Sequence, residues 1–173
     1  MTEPLKLDEA IRIALEYETR VRDMYLEAVE KATEDTGKRI FQTLADEEQG
    51  HLDYLNRRFE EWKTTGHVQD EPVATVLPPK AKVTEGVEKL EKAMDPQDWS
   101  VELELLRRAR DLESETGSFY RRMTQEMDVE GANMFQKFLQ IEDAHYDIVQ
   151  AEIDALTGKG FWFDTMEFRL EAG

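Results

Sequence analysis

Cysteine is missing from this 173-residue sequence, and histidine occurs only three times. Without thiols the chain forms no disulfides, no iron–sulfur clusters, no thiolate metal sites and no redox-active thiol pairs. Any redox chemistry must therefore use metals held by carboxylates and imidazoles. Proline is also scarce, and four of the five prolines lie between residues 64 and 98. The remainder of the chain is free to form long helices.

Positive charge and long apolar runs are also lacking. The 22 Lys and Arg residues are outnumbered by 39 Asp and Glu residues, which gives a net charge of −17. Such a surface repels nucleic acid and anionic membranes, so we expect neither as a partner. No stretch approaches the roughly 18 apolar residues of a membrane span, and the N-terminus has no basic region followed by an apolar run. We therefore expect a cytoplasmic protein.

What the sequence does contain is a repeated pattern of acidic residues and histidines. A Glu lies three residues before a His twice, at Glu48/His51 and Glu142/His145, and the two copies are 94 residues apart. A Glu lies seven residues before a Tyr at Glu18 and again at Glu113, an offset of 95 residues. A single Glu-x-x-His is usually a surface pair, but two in register with a second repeated motif indicate two similar helix pairs.

Apolar residues recur every three or four positions in four segments, which predicts helices over about residues 8–32, 38–62, 99–127 and 132–156. Short connections at 33–37 and 128–131 make each pair antiparallel, and residues 64–98 form a long crossover. We therefore predict one all-α domain over residues 1–173, a ferritin-like four-helix bundle. Finer expectations are an N-cap at Ser100, a C-cap at Gly158, a short helix over 84–94, and an apolar segment, 159–173, that packs on the bundle or across a subunit interface.

The acidic residues of the repeat lie on the apolar faces of their predicted helices, where an uncompensated carboxylate is unfavourable by several kcal/mol. Four such carboxylates match two divalent cations, and two imidazoles complete the ligand shells. The predicted metal ligands are Glu18, Glu48, His51, Glu113, Glu142 and His145. The alternative is a polar core layer that is protonated or paired with Lys or Arg, but the predicted inward faces carry neither.

Oxygen-rich ligation with two imidazoles favours iron, with manganese as the alternative metal. We expect a site for two iron ions, in which the sequence leaves open which carboxylates bridge them. Tyr25 and Tyr120 each lie two helical turns from a ligand Glu. Their hydroxyls either donate hydrogen bonds to the ligand carboxylates or belong to ordinary core side chains.

The same residues carry a resemblance that covers all four predicted helices. The stretches ALEYETRVRDMY (14–25) and LADEEQGHL (44–52), followed by RDLESETGSFY (110–120) and FLQIEDAHY (138–146), resemble the helices of rubrerythrin-type ferritin-like proteins. The resemblance implies a di-iron site, held by the four Glu and two His above, that reacts with hydrogen peroxide or dioxygen. It also implies a homodimer, and the long crossover leaves open the exchange of a helix pair between chains.

Two departures from the family pattern bear on activity. Typical rubrerythrins carry a cysteine-ligated rubredoxin domain, whereas this chain has no cysteine, so electrons are expected from an external donor such as a rubredoxin-like protein. Typical rubrerythrins also have an extra acid three residues after the third-helix Glu, and it is associated with an iron that shifts between ligands during peroxide turnover. Thr116 occupies that position here, and Glu115 lies on another face of the helix.

Three functions follow from the sequence. The first is a di-iron oxidoreductase that reduces peroxide or dioxygen with electrons from an external donor. The second is ferrous-iron oxidation and iron handling of the ferritin type at the same site. The third is non-enzymatic: a helical stress or interaction protein in which the site is a structural metal clamp or carries no metal.

Overall fold

Four long helices make up most of the computed structural model, which describes residues 5–77 and 98–158. They are α1 (Leu7–Lys31), α2 (Asp35–Thr65), α3 (Ser100–Glu126) and α4 (Val129–Gly158). The predicted all-α, ferritin-like bundle is thereby confirmed. Among the described helices, none combines the length and the apolar character needed to cross a membrane.

Helices α2 and α4 extend further than the apolar pattern predicts, so both short connections are shorter than expected. The connection between α1 and α2 is reduced to residues 32–34, and that between α3 and α4 to residues 127 and 128. The end of α2 shows the reason. Residues 63–65 are polar and give no apolar signal, yet the helix continues to Gly66, which has a φ of 76° and donates its N–H to the Trp62 carbonyl over 2.7 Å.

The predicted N-cap of α3 is wrong. Ser100 is the first helical residue and Trp99 is the N-cap residue. The Asp98 carboxylate accepts a hydrogen bond from the Ser100 N–H over 3.0 Å, and this hydrogen bond lowers the pKa of Asp98. Gly158, the predicted C-cap, is the last helical residue described. The predicted helix over 84–94 and the segment 159–173 lie outside the described residues.

The described part of the crossover, residues 66–77, has no regular secondary structure and lies against α2 and α4. Tyr54 on α2 donates its hydroxyl to the Glu71 carbonyl over 3.0 Å. Lys137 on α4 donates to the same carbonyl over 2.7 Å. Buried Arg58 on α2 also pairs with the Glu71 carboxylate over 3.2 Å. These contacts fix the path of the crossover across the two helices that carry the Glu-x-x-His pairs.

Helices α1 and α2 pack against each other, as do α3 and α4, and α1 also packs against α3. Cross-bundle ion pairs show that α1 and α3 are antiparallel. Arg20 contacts Glu115 over 3.3 Å, and Glu27 contacts Arg108 over 3.1 Å. As the residue number rises on one helix it falls on the other. Exchanging α1 with α3 and α2 with α4 therefore superimposes the repeated motifs.

The apolar interior is divided into two clusters of buried residues. One contains Phe41, Leu106 and Val149, and the other contains Leu55, Phe135 and Phe138. The predicted ligands belong to neither cluster and are fully buried. They form a polar layer that crosses all four helices and separates the two clusters. Their predicted positions on the inward faces of the helices lead to this placement.

Gly117 lies in the interior of α3, where glycine is intrinsically unfavourable. A Cβ built at this position meets its nearest neighbours, in Glu142 and Asp143, only at 4.0 Å, so packing does not require glycine here. We expect Gly117→Ala to raise the free energy of unfolding by about 0.5–1 kcal/mol. Chemical denaturation monitored by circular dichroism measures this change. A destabilised variant would show that packing does require glycine at this position.

Candidate metal centre

All six predicted ligands converge in the polar layer, and each is at most 1% exposed to solvent. Each helix contributes through its inward face: one Glu from α1, one from α3, and a Glu and a His separated by one turn from α2 and from α4. The structure thus brings together Glu18, Glu48, His51, Glu113, Glu142 and His145. The third histidine, His67, is exposed and contacts Glu130 over 3.2 Å, outside this layer.

The six side chains form two overlapping groups of four, and in each group the candidate ligand atoms lie within 4.8 Å of one another. One group consists of Glu18, Glu48, His51 and Glu142, and the other of Glu48, Glu113, Glu142 and His145. Glu48 and Glu142 belong to both groups. The two Glu-x-x-His carboxylates therefore lie between two positions, each of which has one further Glu and one His.

Both histidines direct Nδ1 toward the carboxylates. His51 Nδ1 lies 3.1 Å from oxygens of both Glu18 and Glu48. His145 Nδ1 lies 2.8 Å from Glu48 Oε1. The two imidazole rings stack, with centroids 5.4 Å apart and planes inclined by 10°. Their Nε2 atoms are thereby left for interactions outside the carboxylate cluster.

Each tyrosine of the repeat donates a hydrogen bond to a ligand carboxylate, but across the bundle rather than along its own helix. Tyr25 on α1 donates to Glu113 on α3, and Tyr120 on α3 donates to Glu18 on α1. Burial and the neighbouring carboxylate charges raise the pKa of both phenols well above the ordinary value. The hydroxyls therefore remain protonated donors and orient the two unshared carboxylates.

The ligand set without metal depends on protons for its charge balance. Burial, reinforced by the charge of Glu48, raises the pKa of Glu18 to about 8. The same two causes, burial and neighbouring carboxylates, raise the pKa of Glu142 well above its usual range. Burial opposes protonation of His51, but the charges of Glu48 and Glu18 prevail and raise its pKa to about 10. Cations in this layer would replace those protons.

The donor set fits divalent metal ions. Several of its atoms are buried without a hydrogen-bond partner in the described part of the chain: both oxygens of Glu142, Oε1 of Glu48, Oε2 of Glu113 and Nδ1 of His145. The ion-pair partners found there for these carboxylates are the two histidines, not Lys or Arg. Buried lone pairs that meet at one place are the arrangement that carboxylate-binding cations require.

Glu47 is a further residue of the centre, and the sequence analysis missed it. It is 7% exposed, and its Oε2 lies 3.8 Å from Nε2 of His145. The crossover positions this carboxylate: Thr75 donates its hydroxyl to Oε2 and Val76 donates its N–H to Oε1, each over 2.6 Å. Ile141 occupies the equivalent position of the repeat, so this single carboxylate lies beside both histidines: Glu47, His51 and His145 offer candidate ligand atoms within 4.8 Å of one another. The sequence does contain a signal that could have identified Glu47. The first copy of the motif has two adjacent acids, Glu47-Glu48, where the second copy has Ile141-Glu142.

Stability of the metal-free protein should fall as pH rises. The pKa of Glu18 is about 8 against 4.5, and that of His51 about 10 against 6.5, so the folded state keeps protons that the unfolded chain has lost. The free energy of unfolding falls over pH 4.5–8 because of Glu18 and over pH 6.5–10 because of His51. The total decrease is on the order of a few kcal/mol. Glu48, whose pKa is lowered, acts in the opposite sense but below pH 4.5.

Thermal unfolding in the presence of a chelator, at about pH 6 and pH 8.5, measures this dependence. We expect a lower unfolding temperature at the higher pH, and a smaller difference in Glu18→Gln because that variant has no carboxyl proton to lose. Equal unfolding temperatures at the two pH values would contradict the assigned protonation states.

Replacing Glu47 should weaken metal binding at the His145 position. Glu47→Gln retains an oxygen for the Val76 N–H but removes the negative charge that faces Nε2 of His145. We expect an apparent metal affinity roughly 10–100-fold lower, measured by competition with a coloured chelator. Asp46→Asn is the matched control, because Asp46 is the preceding, exposed acid, and its carboxylate accepts a hydrogen bond from Gln42 over 2.8 Å. Unchanged affinity in Glu47→Gln would rule out this role.

Comparison with known proteins gives one match. A family model described as Rubrerythrin matches residues 9–153, a range that covers α2 and α3, most of α1 and α4, all six candidate ligands and Glu47. No curated protein and no solved structure matches the chain. The resemblance seen in the repeated motifs is confirmed, and the chain belongs to the rubrerythrin family.

Proposed function

We propose that this protein is a di-iron oxidoreductase that reduces hydrogen peroxide or dioxygen with electrons from an external donor. The observation that carries the proposal is the pair of overlapping four-residue groups that share Glu48 and Glu142. Membership of the rubrerythrin family supports iron as the metal. Ligand type supports the same choice, because carboxylates and imidazoles without thiolate suit iron or manganese.

The geometry suggests which residues would hold each ion. Glu18 and His51 would hold one iron, and Glu113 and His145 the other. Glu48 and Glu142 would bridge them, since both belong to each group. Four carboxylates balance the charge of two divalent ions, which removes the need for the protons that Glu18 and Glu142 otherwise retain.

When bound, two ferrous ions supply the two electrons that, with two protons, convert one hydrogen peroxide to two waters. The protein contributes orientation and exclusion of water. Tyr25 and Tyr120 hold Glu113 and Glu18 through hydroxyls that stay protonated. The apolar clusters on both sides of the layer keep bulk water from the carboxylates. The donor must then return two electrons, and because the chain has no cysteine it holds no thiolate-ligated iron of its own for this step.

The structure also favours a second candidate, oxidation of ferrous ions for iron handling. Thr116, at the position of the family's extra acid, is buried and donates its hydroxyl to the Leu112 carbonyl over 2.9 Å. Glu115 is exposed and pairs with Arg20 on α1, so it does not replace that acid. The missing carboxylate bears on the peroxide cycle of typical rubrerythrins, whereas oxidation of bound ferrous ions needs only the six-residue site.

The first experiment is metal analysis after anaerobic ferrous loading, followed by mixing with peroxide. We expect close to two irons per chain and consumption of one peroxide per two ferrous ions, with ferric absorption appearing in stopped flow. The double variant Glu48→Ala, Glu142→Ala should retain neither property. Glu115→Gln is the control, because it removes a nearby but exposed acid.

Repeated turnover separates the two candidates. If a reduced rubredoxin-like donor sustains many cycles of peroxide reduction, the protein is a peroxidase. If ferrous ions are oxidised once and then released or accumulated, iron handling is the better description. Absence of bound metal in the wild-type protein would contradict both candidates and favour the non-enzymatic interaction role.

A further inference from the structure

A cavity of about 190 Å³ lies between α3 and α4 and leads to the metal centre. Its deepest lining residues are Glu113 and Glu142, each 1% exposed. Its outer lining includes the exposed residues Ser114, Asp143 and Tyr146. The volume corresponds to about six water molecules. The cavity therefore brings the protein surface next to two candidate ligands, whose carboxylate oxygens stay buried behind its wall.

The carboxylate at the base of this cavity is available for a ligand. Both oxygens of Glu142 are buried without a hydrogen-bond partner in the described part of the chain, as is Oε2 of Glu113. At the mouth, Asp143 pairs with Arg121 over 3.1 Å, so the cationic charge there is balanced. A path that ends beside two glutamate side chains, with the Arg121 charge balanced by Asp143 at its mouth, favours small cationic or neutral solutes over anions.

Gly117 keeps the cavity open. It lines the cavity opposite Glu142 and Asp143, and any side chain beyond Cβ would extend into the space between the two helices. Packing does not require glycine at this position, and a glycine in a helix interior is unfavourable. The missing side chain thus leaves a cavity open beside the ligands. The stability of the helix does not explain why glycine occupies this position.

The other half of the repeat shows what a side chain does at this position. Arg22 on α1 is the residue four positions after Glu18, as Gly117 is four positions after Glu113. Its Nη1 donates to Gln49 on α2 over 3.0 Å, and Gln49 is the counterpart of Asp143. The arginine occupies the position that Gly117 leaves without a side chain; in the α3/α4 pair the contact with Asp143 comes instead from Arg121, at the mouth of the cavity. The two sides of the metal centre therefore differ in access.

We infer that the α3/α4 cavity, kept open by Gly117, is the route by which ferrous ions reach the carboxylates, and that Arg22 closes the equivalent route between α1 and α2. This inference rests on the proposed metal centre. Small neutral oxidants fit the same path. The route should affect how fast metal binds, but not how much binds or how tightly, because Gly117 and Arg22 are not ligands.

Uptake of Co²⁺, a redox-inert probe of the ferrous site, tests the route by stopped-flow absorption of the metal-free protein. The final absorbance reports stoichiometry, and the time course reports access. We expect Gly117→Leu to slow uptake at least tenfold with an unchanged final stoichiometry. Gly117→Ala is the matched control and should remain within twofold of wild type, since a Cβ alone leaves the cavity open. Arg22→Ala should accelerate uptake, and it should restore the rate in the Gly117→Leu background.

The outcomes distinguish a failure of the proposed route from a failure of the proposed metal centre. Full stoichiometry with equal rates in wild type, Gly117→Leu and Arg22→Ala would overturn the route and leave the metal centre intact. No Co²⁺ binding to wild type would overturn the metal centre and the route together. If circular dichroism shows that Gly117→Leu does not fold, Arg22→Ala becomes the deciding variant, because it adds no bulk to the bundle. Faster uptake in Arg22→Ala then supports the inference, and an unchanged rate overturns it.

Discussion

Burial of four carboxylates and two imidazoles in one layer is the constraint on which the rest of this structure depends. Each ionised carboxylate moved from water into the interior loses several kcal/mol of solvation. The bundle meets that penalty with protons on Glu18 and Glu142, with charge on the two imidazoles, and with tyrosine hydroxyls from across the core. Apolar clusters on both sides supply the burial energy that keeps the layer in place. The same layer is suited to two metal ions because cations compensate the carboxylates without protons.

The repeat gives the centre an approximate twofold symmetry, and two departures from it concern the surroundings of the ligands. Glu47 faces His145, while Ile141 takes its place in the other half. Arg22 closes one helix pair, while Gly117 leaves the other open. The six ligands are matched but their surroundings are not. Both features lie at the Glu113/His145 group: the crossover holds Glu47 beside His145, and the α3/α4 cavity lies beside Glu113 and Glu142.

The crossover is more than a connection between helix pairs. Its described part contacts α2 and α4 through Glu71, and its residues Thr75 and Val76 hold the Glu47 carboxylate beside His145. A segment without regular secondary structure therefore positions a charge next to a candidate ligand. Because Thr75 and Val76 lie more than 25 residues from Glu47 in sequence, local patterns carry no information about this contact.

The sequence alone determined the four helices, the inward faces and the identity of the six converging residues. Those properties follow from helical periodicity, since a Glu and a His one turn apart must share a face and an acid within an apolar stripe must point inward. Helix ends were predicted less well because caps depend on backbone geometry, as at Trp99 and Gly66. Only the tertiary structure decided which tyrosine contacts which Glu, which carboxylates are shared by both groups, where Glu47 points and where the bundle is open. These contacts depend on how each helix is rotated about its axis and how far it is shifted along its neighbours. The spacing of residues within one helix carries no information about either quantity.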